Sequence, residues 1–138
     1  MKEFTIIFND FACYKYLRNG ISDFIKDMIP HNSTLIEVAL NEAVNNAIKH
    51  GNKKRIIVKL KIHKNRKLTI RVKDRGQGFQ VYETLQKGVD ASLAAEIDYS
   101  LLKESGRGLL IMNQIMDKVI YNKQGNDVIL IKNLAKMK

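Results

Sequence analysis

Two polar residues of types used in catalysis, Glu42 and Asn46, stand four positions apart in this sequence. On an α-helix, that spacing brings both side chains to the same face. The helix is predicted to begin at a capping box formed by Thr34 and Glu37 and to end at a left-handed Gly51. Apolar residues recur beside the pair, which places the carboxylate and the amide at the edge of the core. A half-buried structural pair and a pair that serves chemistry both fit this pattern.

A second motif is Asp74-Arg75-Gly76-Gln77-Gly78. Asp74 continues an alternation of apolar residues, so its carboxylate is predicted to point towards the core. A buried charge requires a partner, because an unpaired one is costly. The exocyclic amine of a purine and backbone N–H groups are both suitable partners. Gly76 and Gly78 permit positive φ angles and let a ligand approach the backbone closely.

The third motif, Ser105-Gly106-Arg107-Gly108, precedes a helix predicted over 108–117. Free N–H groups at a helix start, flanked by glycines, form a site for an anion. Arg107 adds a candidate for a bidentate contact to phosphate. The glycine spacing lacks the third glycine of a dinucleotide fingerprint, and no Gly-x-x-x-x-Gly-Lys loop occurs in the sequence.

The spacing of apolar residues along the sequence predicts the helices and strands that position these motifs. Strand-like alternation covers 56–62 and 68–72, which form a predicted hairpin, and helical spacing marks two segments before it. Two further strands are predicted over 119–122 and 128–132, joined by a turn that contains Gly125. The order of elements predicts an α+β fold: a two-layer α/β sandwich with a mixed, mainly antiparallel sheet and helices on one face.

Composition narrows the class of protein. The 138 residues suit one domain, and they carry 24 Lys and Arg against 14 Asp and Glu, for a net charge of +10. The basic residues are spread along the chain, which favours attraction of an acidic protein partner over binding of nucleic acid. Cys13 is the only cysteine, no apolar run reaches the length of a membrane span, and no signal peptide is recognisable. We therefore expect a cytoplasmic location and no membrane association.

Taken in order, the three motifs resemble the boxes of the GHKL (histidine-kinase-like) ATP-binding fold, also called the Bergerat fold. The segments 41–51 (NEAVNNAIKHG) and 108–117 (GLLIMNQIMD) are similar to one branch of that superfamily. This branch is the anti-sigma-factor serine/threonine-protein kinases of bacterial stress response and sporulation. The resemblance extends from Phe4 to Leu134 and implies one domain over 1–138, with 79–105 as the ATP lid.

The resemblance also implies roles for individual residues. It makes Glu42 the general base, Asn46 the ligand of Mg²⁺, and Asp74 the acceptor of the adenine amino group. The adenine pocket would be shaped by Gly76 and Gly78, and the phosphates would be met by Ser105, Gly106, Arg107 and Gly108. Arg18 stands where such proteins carry an arginine used near the partner. The sequence departs from the family at Asn126, because members commonly have an adenine-binding threonine after the glycine of that turn.

The expected function is therefore that of an ATP- and Mg²⁺-dependent serine kinase that is also an anti-sigma factor. Its partners would be a sigma factor and a STAS-type anti-anti-sigma antagonist, which it phosphorylates, and it could form a homodimer. A nucleotide-gated, non-catalytic anti-sigma binding module is the alternative, although binding alone does not require Glu42. The catalytic domain of a histidine kinase is disfavoured, since His31 lacks the flanking pattern of a phospho-accepting residue.

Overall fold

The computed structural model describes residues 1–51, 54–76, 78 and 104–136. Five strands are found in this part of the chain: β1 (Lys2–Phe8), β2 (Ile56–Ile62), β3 (Lys67–Asp74), β4 (Lys118–Tyr121) and β5 (Asp127–Asn133). The helices are α1 (Phe11–Met28), α2 (Ser33–His50) and α3 (Glu104–Ile115), and a 3₁₀ turn spans Leu134–Lys136. Among the helices described, none is long and apolar enough to cross a membrane.

The strands form one sheet in the order β1-β2-β3-β5-β4. All four described pairs are antiparallel, and the β2–β3 hairpin sets Ile56 opposite Asp74 and Val58 opposite Val72. Along β3, buried and more exposed residues alternate, so that only one face of the sheet is covered. The predicted α+β class and its mainly antiparallel sheet are confirmed, and Asp74 is on the covered face as the alternation predicts.

The core lies between that face and the helices. It includes Val58, Leu60, Leu68 and Ile70 from the hairpin, Val128 and Leu130 from β5, Ile36, Leu40 and Ala43 from α2, and Leu109 and Met112 from α3. Helix α1 is tied to α2 by the Tyr14 hydroxyl, which donates a 2.6 Å hydrogen bond to Asn41 Oδ1. Helix α2 therefore sits within the helical layer in contact with α1, α3 and the hairpin.

The ends of α2 differ from the prediction. The residue that precedes the helix is Asn32, in a left-handed conformation, and no side chain caps the N-terminus, so the capping box at Thr34 and Glu37 is wrong. Gly51 ends the helix at φ −85°, which is not left-handed. A glycine is required there because a Cβ atom would collide with the carbonyl oxygen of Ala47.

Helix α3 also begins earlier than predicted. Its first residue is Glu104, so Ser105, Gly106, Arg107 and Gly108 all belong to its first turns. In a regular α-helix the amide of residue 108 donates to the carbonyl of residue 104, and only the preceding amides are free. The predicted helix start at Gly108 is therefore wrong, and the amides of 105 and 106 lie at the helix start. A contact between phosphate and Gly108 stays a prediction.

Candidate functional site

A small cavity lies between α2, the end of β3 and the β4–β5 turn. In this conformation its volume is about 10 Å³, and it opens to solvent. That is room for about one water molecule. The apolar lining consists of two alanines of α2 and two valines of the sheet. The polar side chains come from α2, from the ends of β3 and β4, and from the β4–β5 turn. The lining residues are Ala43, Asn46, Ala47, Val72, Asp74, Tyr121, Gly125, Asn126 and Val128. An apolar lining with a small number of polar groups is typical of small-molecule sites.

Asp74 is one of two polar residues that are buried in the described part of the chain. Its Oδ1 accepts a 2.7 Å hydrogen bond from the amide of Gly76, and its own amide donates to Asn126 O at 2.9 Å. Burial raises the pKa of this carboxyl, and the hydrogen bond from Gly76 opposes that shift. The backbone partner foreseen from the sequence is therefore present. The carboxylate also lines the cavity, and its contact with a purine amine stays a prediction.

The two glycines of this motif act in different ways. Gly78 has a φ of +75°, as predicted, and a Cβ there would collide with Gln124 O. Gly76 does not use the freedom to adopt a positive φ. It is needed instead for close packing, because a Cβ would collide with His50 O and with the backbone of Gly51 at the end of α2. Gly76 therefore fixes the distance between α2 and the segment Asp74-Arg75-Gly76, which we call the Asp74 loop.

The β4–β5 turn holds this loop from the other side, through Asn126 and through Asn122, which sequence reasoning did not assign to the site. Asn122 Oδ1 accepts from the amides of Gly125 and Asn126 at 2.8 and 3.0 Å, and Asn122 Nδ2 donates to Asn126 Oδ1 at 2.7 Å. Asn126 Nδ2 then donates to Gly76 O at 3.1 Å. The carboxamide of Asn126 thus bridges the turn to the Asp74 loop. The density of Asn and Gly between 122 and 126 was the available signal, since these residues favour such turns.

Asn46 is the second buried polar residue, 6% exposed, and it faces the same cavity from α2. Its Nδ2 lies 3.5 Å from the Tyr121 hydroxyl, to which it donates. Burial raises the pKa of Tyr121 to about 12, and the contact with Asn46 opposes the shift. No group of three His, Cys, Asp or Glu side chains in the described ranges is arranged to hold a metal alone. A single amide oxygen fits Mg²⁺ that keeps waters and is carried by phosphates.

Glu42 is half-buried one turn before Asn46 and lies against α3. A Cβ at Gly108 would be 2.5 Å from Glu42 Oε2, so the absence of a side chain at 108 leaves room for this carboxylate. The structure therefore brings the first and third motifs together through a glycine. Arg107 is half-buried in the same turn of α3.

Arg18 stands apart from the cavity, exposed on α1. It lies close enough to Tyr14 for its positive charge to lower the pKa of that phenol, although burial dominates and raises it to about 12. Because Tyr14 bonds to Asn41, Arg18 is near the part of α2 that precedes Glu42. Gln77 and residues 79–103, most of the predicted lid, lie outside the described residues, and of Ser105 and Gly106 the helical backbone is described.

Comparison with known proteins agrees with this geometry. The model of the histidine kinase-like ATPase domain matches residues 18–132. The anti-sigma F factor of Clostridium acetobutylicum is 28% identical over 127 residues, which cover 87% of this chain and 85% of that protein. The serine-protein kinase RsbW of Staphylococcus aureus is 30% identical over 106 residues, 72% of this chain and 65% of that protein. The match includes both Glu42 and Asn46, Asp74 with its glycines, and the first turns of α3.

Proposed function

The chain belongs to the histidine kinase-like ATPase domain family, and we propose that it is an ATP-dependent protein serine kinase that also acts as an anti-sigma factor. One observation carries this proposal: Asp74 and Asn46 line a single cavity, and Glu42 lies one helical turn from Asn46 against Gly108. Three groups thus lie in order beside α2. They are a carboxylate suited to recognise a base, an amide oxygen suited to bind a metal, and a carboxylate suited to act as an acid–base group. The names of the two relatives support the same activity and partner.

In this proposal, the cavity widens to admit the adenine of ATP, whose exocyclic amine donates to Asp74. Its phosphates extend towards the first turn of α3, where Ser105, Gly106, Arg107 and Gly108 meet them. Asn46 Oδ1 contributes one ligand to Mg²⁺, which supplies charge neutralisation at the phosphates. Residues 79–105 form the lid of a single domain over 1–138.

Glu42 takes the proton from the hydroxyl of a partner serine as that oxygen bonds to the γ-phosphorus. The bond from the γ-phosphorus to the bridging oxygen breaks, and ADP leaves with that oxygen. A carboxylate on a rigid helix, with no side chain at 108 to displace it, is suited to this role.

The serine belongs to a STAS-type anti-anti-sigma antagonist, and the second partner is a sigma factor. Phosphorylation adds about two negative charges, which disfavours a tight interface. The modified antagonist then dissociates and leaves the protein free to hold the sigma factor. Arg18 contributes to partner contact, and the protein acts in the cytoplasm as a possible homodimer, without direct contact to nucleic acid or membrane.

The decisive experiment measures the transfer of labelled phosphate from γ-labelled ATP, in the presence of Mg²⁺, to proteins in a lysate of the source cells. Wild type is compared with Glu42→Ala and with a control, Glu3→Ala on strand β1. The Glu3 carboxylate lies 3.9 Å from Lys59 of β2. We expect a small protein to be labelled on serine by wild type and by the control, and not by Glu42→Ala. Binding of ATP and of a co-purifying sigma factor without Glu42-dependent label would instead identify a nucleotide-gated, non-catalytic module.

A further inference from the structure

The carboxamide of Asn46 has two chemically different ends of nearly the same size. The oxygen end can bind a hard cation, whereas the NH₂ end cannot. A rotation of half a turn about the last side-chain bond exchanges the two ends within the same volume. Which end faces a ligand is therefore decided by the hydrogen bonds that the amide makes.

Tyr121 provides such a bond. Its hydroxyl oxygen accepts from Asn46 Nδ2 at 3.5 Å, and both side chains line the same cavity. Asn46 is only 6% exposed, so water has little access to its NH₂ end. A buried donor without an acceptor is costly. After a rotation of the amide the hydroxyl could donate to Oδ1, but the NH₂ end would then face the cation, which cannot accept from it. With a metal bound, the favourable arrangement is therefore the one seen here, with Nδ2 on the hydroxyl and Oδ1 on the opposite side.

The backbone holds Tyr121 in place for this contact. Tyr121 is the last residue of β4 and pairs with Val128 of β5, which lines the cavity as well. The next residue, Asn122, closes the turn through its bonds to the amides of Gly125 and Asn126. The hydroxyl therefore projects from a strand end that is fixed on both sides.

We propose that Tyr121 is a positioning residue that holds the NH₂ end of Asn46 and so turns Oδ1 towards the metal that accompanies the nucleotide. This inference rests on the proposed function, because it requires Asn46 to be the metal ligand. It adds to the three motifs a residue from β4, a strand that none of them includes.

The test is the effect of Mg²⁺ on nucleotide affinity, measured by calorimetry with ATP and ADP in Mg²⁺ and in EDTA. Tyr121→Phe removes only the hydroxyl, and Tyr16→Phe, at a side chain that is 84% exposed on α1, is the matched control. We expect Tyr121→Phe to reduce the Mg²⁺-dependent gain in ATP affinity about five- to tenfold, the scale of an unpaired buried donor. Affinities in EDTA should equal those of wild type, and Tyr16→Phe should change neither.

Asn46→Asp completes a double-mutant cycle. A carboxylate presents oxygen at both ends, so its orientation no longer matters, and Tyr121→Phe should have no further effect on the Mg²⁺-dependent gain in that background. An unchanged gain in Tyr121→Phe alone would overturn the proposal. Equal losses of affinity in Mg²⁺ and in EDTA would also overturn it, because they would show a purely structural role in the cavity.

These results are distinguishable from failure of the proposed function. If the wild-type protein binds no adenine nucleotide, the proposed function itself is wrong. If it binds nucleotide with equal affinity in Mg²⁺ and in EDTA, Asn46 is not a metal ligand and Tyr121 does not position it. The proposed adenine site would not be affected by that second result.

Discussion

At the residue scale, Asp74 is subject to two opposing demands. Its burial raises the pKa of the carboxyl, which means that the ionised form is disfavoured in the folded protein without nucleotide. The same ionised form is the better acceptor for the amine of adenine. In the proposed function, the carboxylate that would recognise the base therefore lowers the stability of the free protein at neutral pH.

The first prediction concerns recognition. Asp74→Asn replaces a charged acceptor by an amide whose NH₂ end repels the adenine amine, and it should weaken ADP binding by about 1–3 kcal/mol. Calorimetry without Mg²⁺ isolates this effect from the metal. Asp27→Asn, at an exposed carboxylate on α1, should leave the affinity unchanged. Equal ADP affinity in wild type and Asp74→Asn would exclude Asp74 from the adenine pocket.

The second prediction concerns stability and pH. The pKa of Asp74 is raised from its ordinary value of 3.8, so the folded protein holds this proton more tightly than the unfolded chain does. The free energy of unfolding should therefore decrease as pH rises through the window above 3.8, and the loss persists at neutral pH. Without nucleotide, Asp74→Asn should be more stable than wild type at pH 7, with an advantage that shrinks towards acidic pH. Urea unfolding across pH measures it, and a pH-independent difference would contradict it.

At the element scale, the site depends on how closely the Asp74 loop approaches the end of α2. Gly76→Ala places a Cβ atom against His50 O and the backbone of Gly51, neither of which can rotate away. We expect a loss of about 1–3 kcal/mol in the free energy of unfolding, as for other overpacked positions. Gly20→Ala is the control, since its Cβ meets only the Phe4 ring, at 3.3 Å, inside α1. That change should be neutral or stabilising by up to about 1 kcal/mol. Equal unfolding curves for both variants would refute the close packing.

The contact between α3 and α2 should affect chemistry more than stability. Gly108→Ala introduces a Cβ atom 2.5 Å from Glu42 Oε2, and a carboxylate at the end of a side chain can move away from it. Alanine also favours a helix over glycine, so the protein should remain folded. A displaced general base should lower the rate of serine phosphorylation about tenfold or more, and the loss should persist at saturating ATP. Phosphoryl transfer at the wild-type rate would show that the position of Glu42 does not limit the reaction.

The elements also show what the sequence could and could not reveal. The hairpin was predicted correctly because Val58, Leu60, Ile70 and Val72 alternate on one covered face, where a shift of one residue would bury lysines. The start of α3 was missed because glycine has low helix propensity, whereas packing against α2 decides this boundary. Likewise, Gly76 is required by close backbone contacts with His50 and Gly51, which lie more than 20 positions earlier, and no local pattern encodes such contacts.

At the scale of the whole molecule, the outer face of the sheet, opposite the helices, carries positively charged side chains. The cavity lies on the helical side, whereas the outer side carries Lys61 and Lys73, which alternate with core residues. Two other basic residues on that side are already paired: Arg71 with Asp127 at 2.6 Å, and Lys59 with Glu3 at 3.9 Å. The remaining positive charge adds to a net charge of +10, which attracts acidic proteins over distances beyond direct contact.

This distribution predicts a salt-dependent association that is separable from nucleotide binding. Reversal of two charges on the outer side, Lys61→Glu with Lys73→Glu, should lower the association rate with the antagonist identified by the labelling assay about tenfold at low ionic strength. The difference should disappear near 0.5 M salt, where the screening length is roughly 4 Å. ADP affinity should not change, because these side chains face away from the cavity, and the charge-conserving pair Lys61→Arg with Lys73→Arg should behave as wild type. The association rate is measured by stopped flow over a range of salt concentrations. If the double Glu variant and the double Arg variant show the same salt dependence, the attraction comes from charges elsewhere on the molecule.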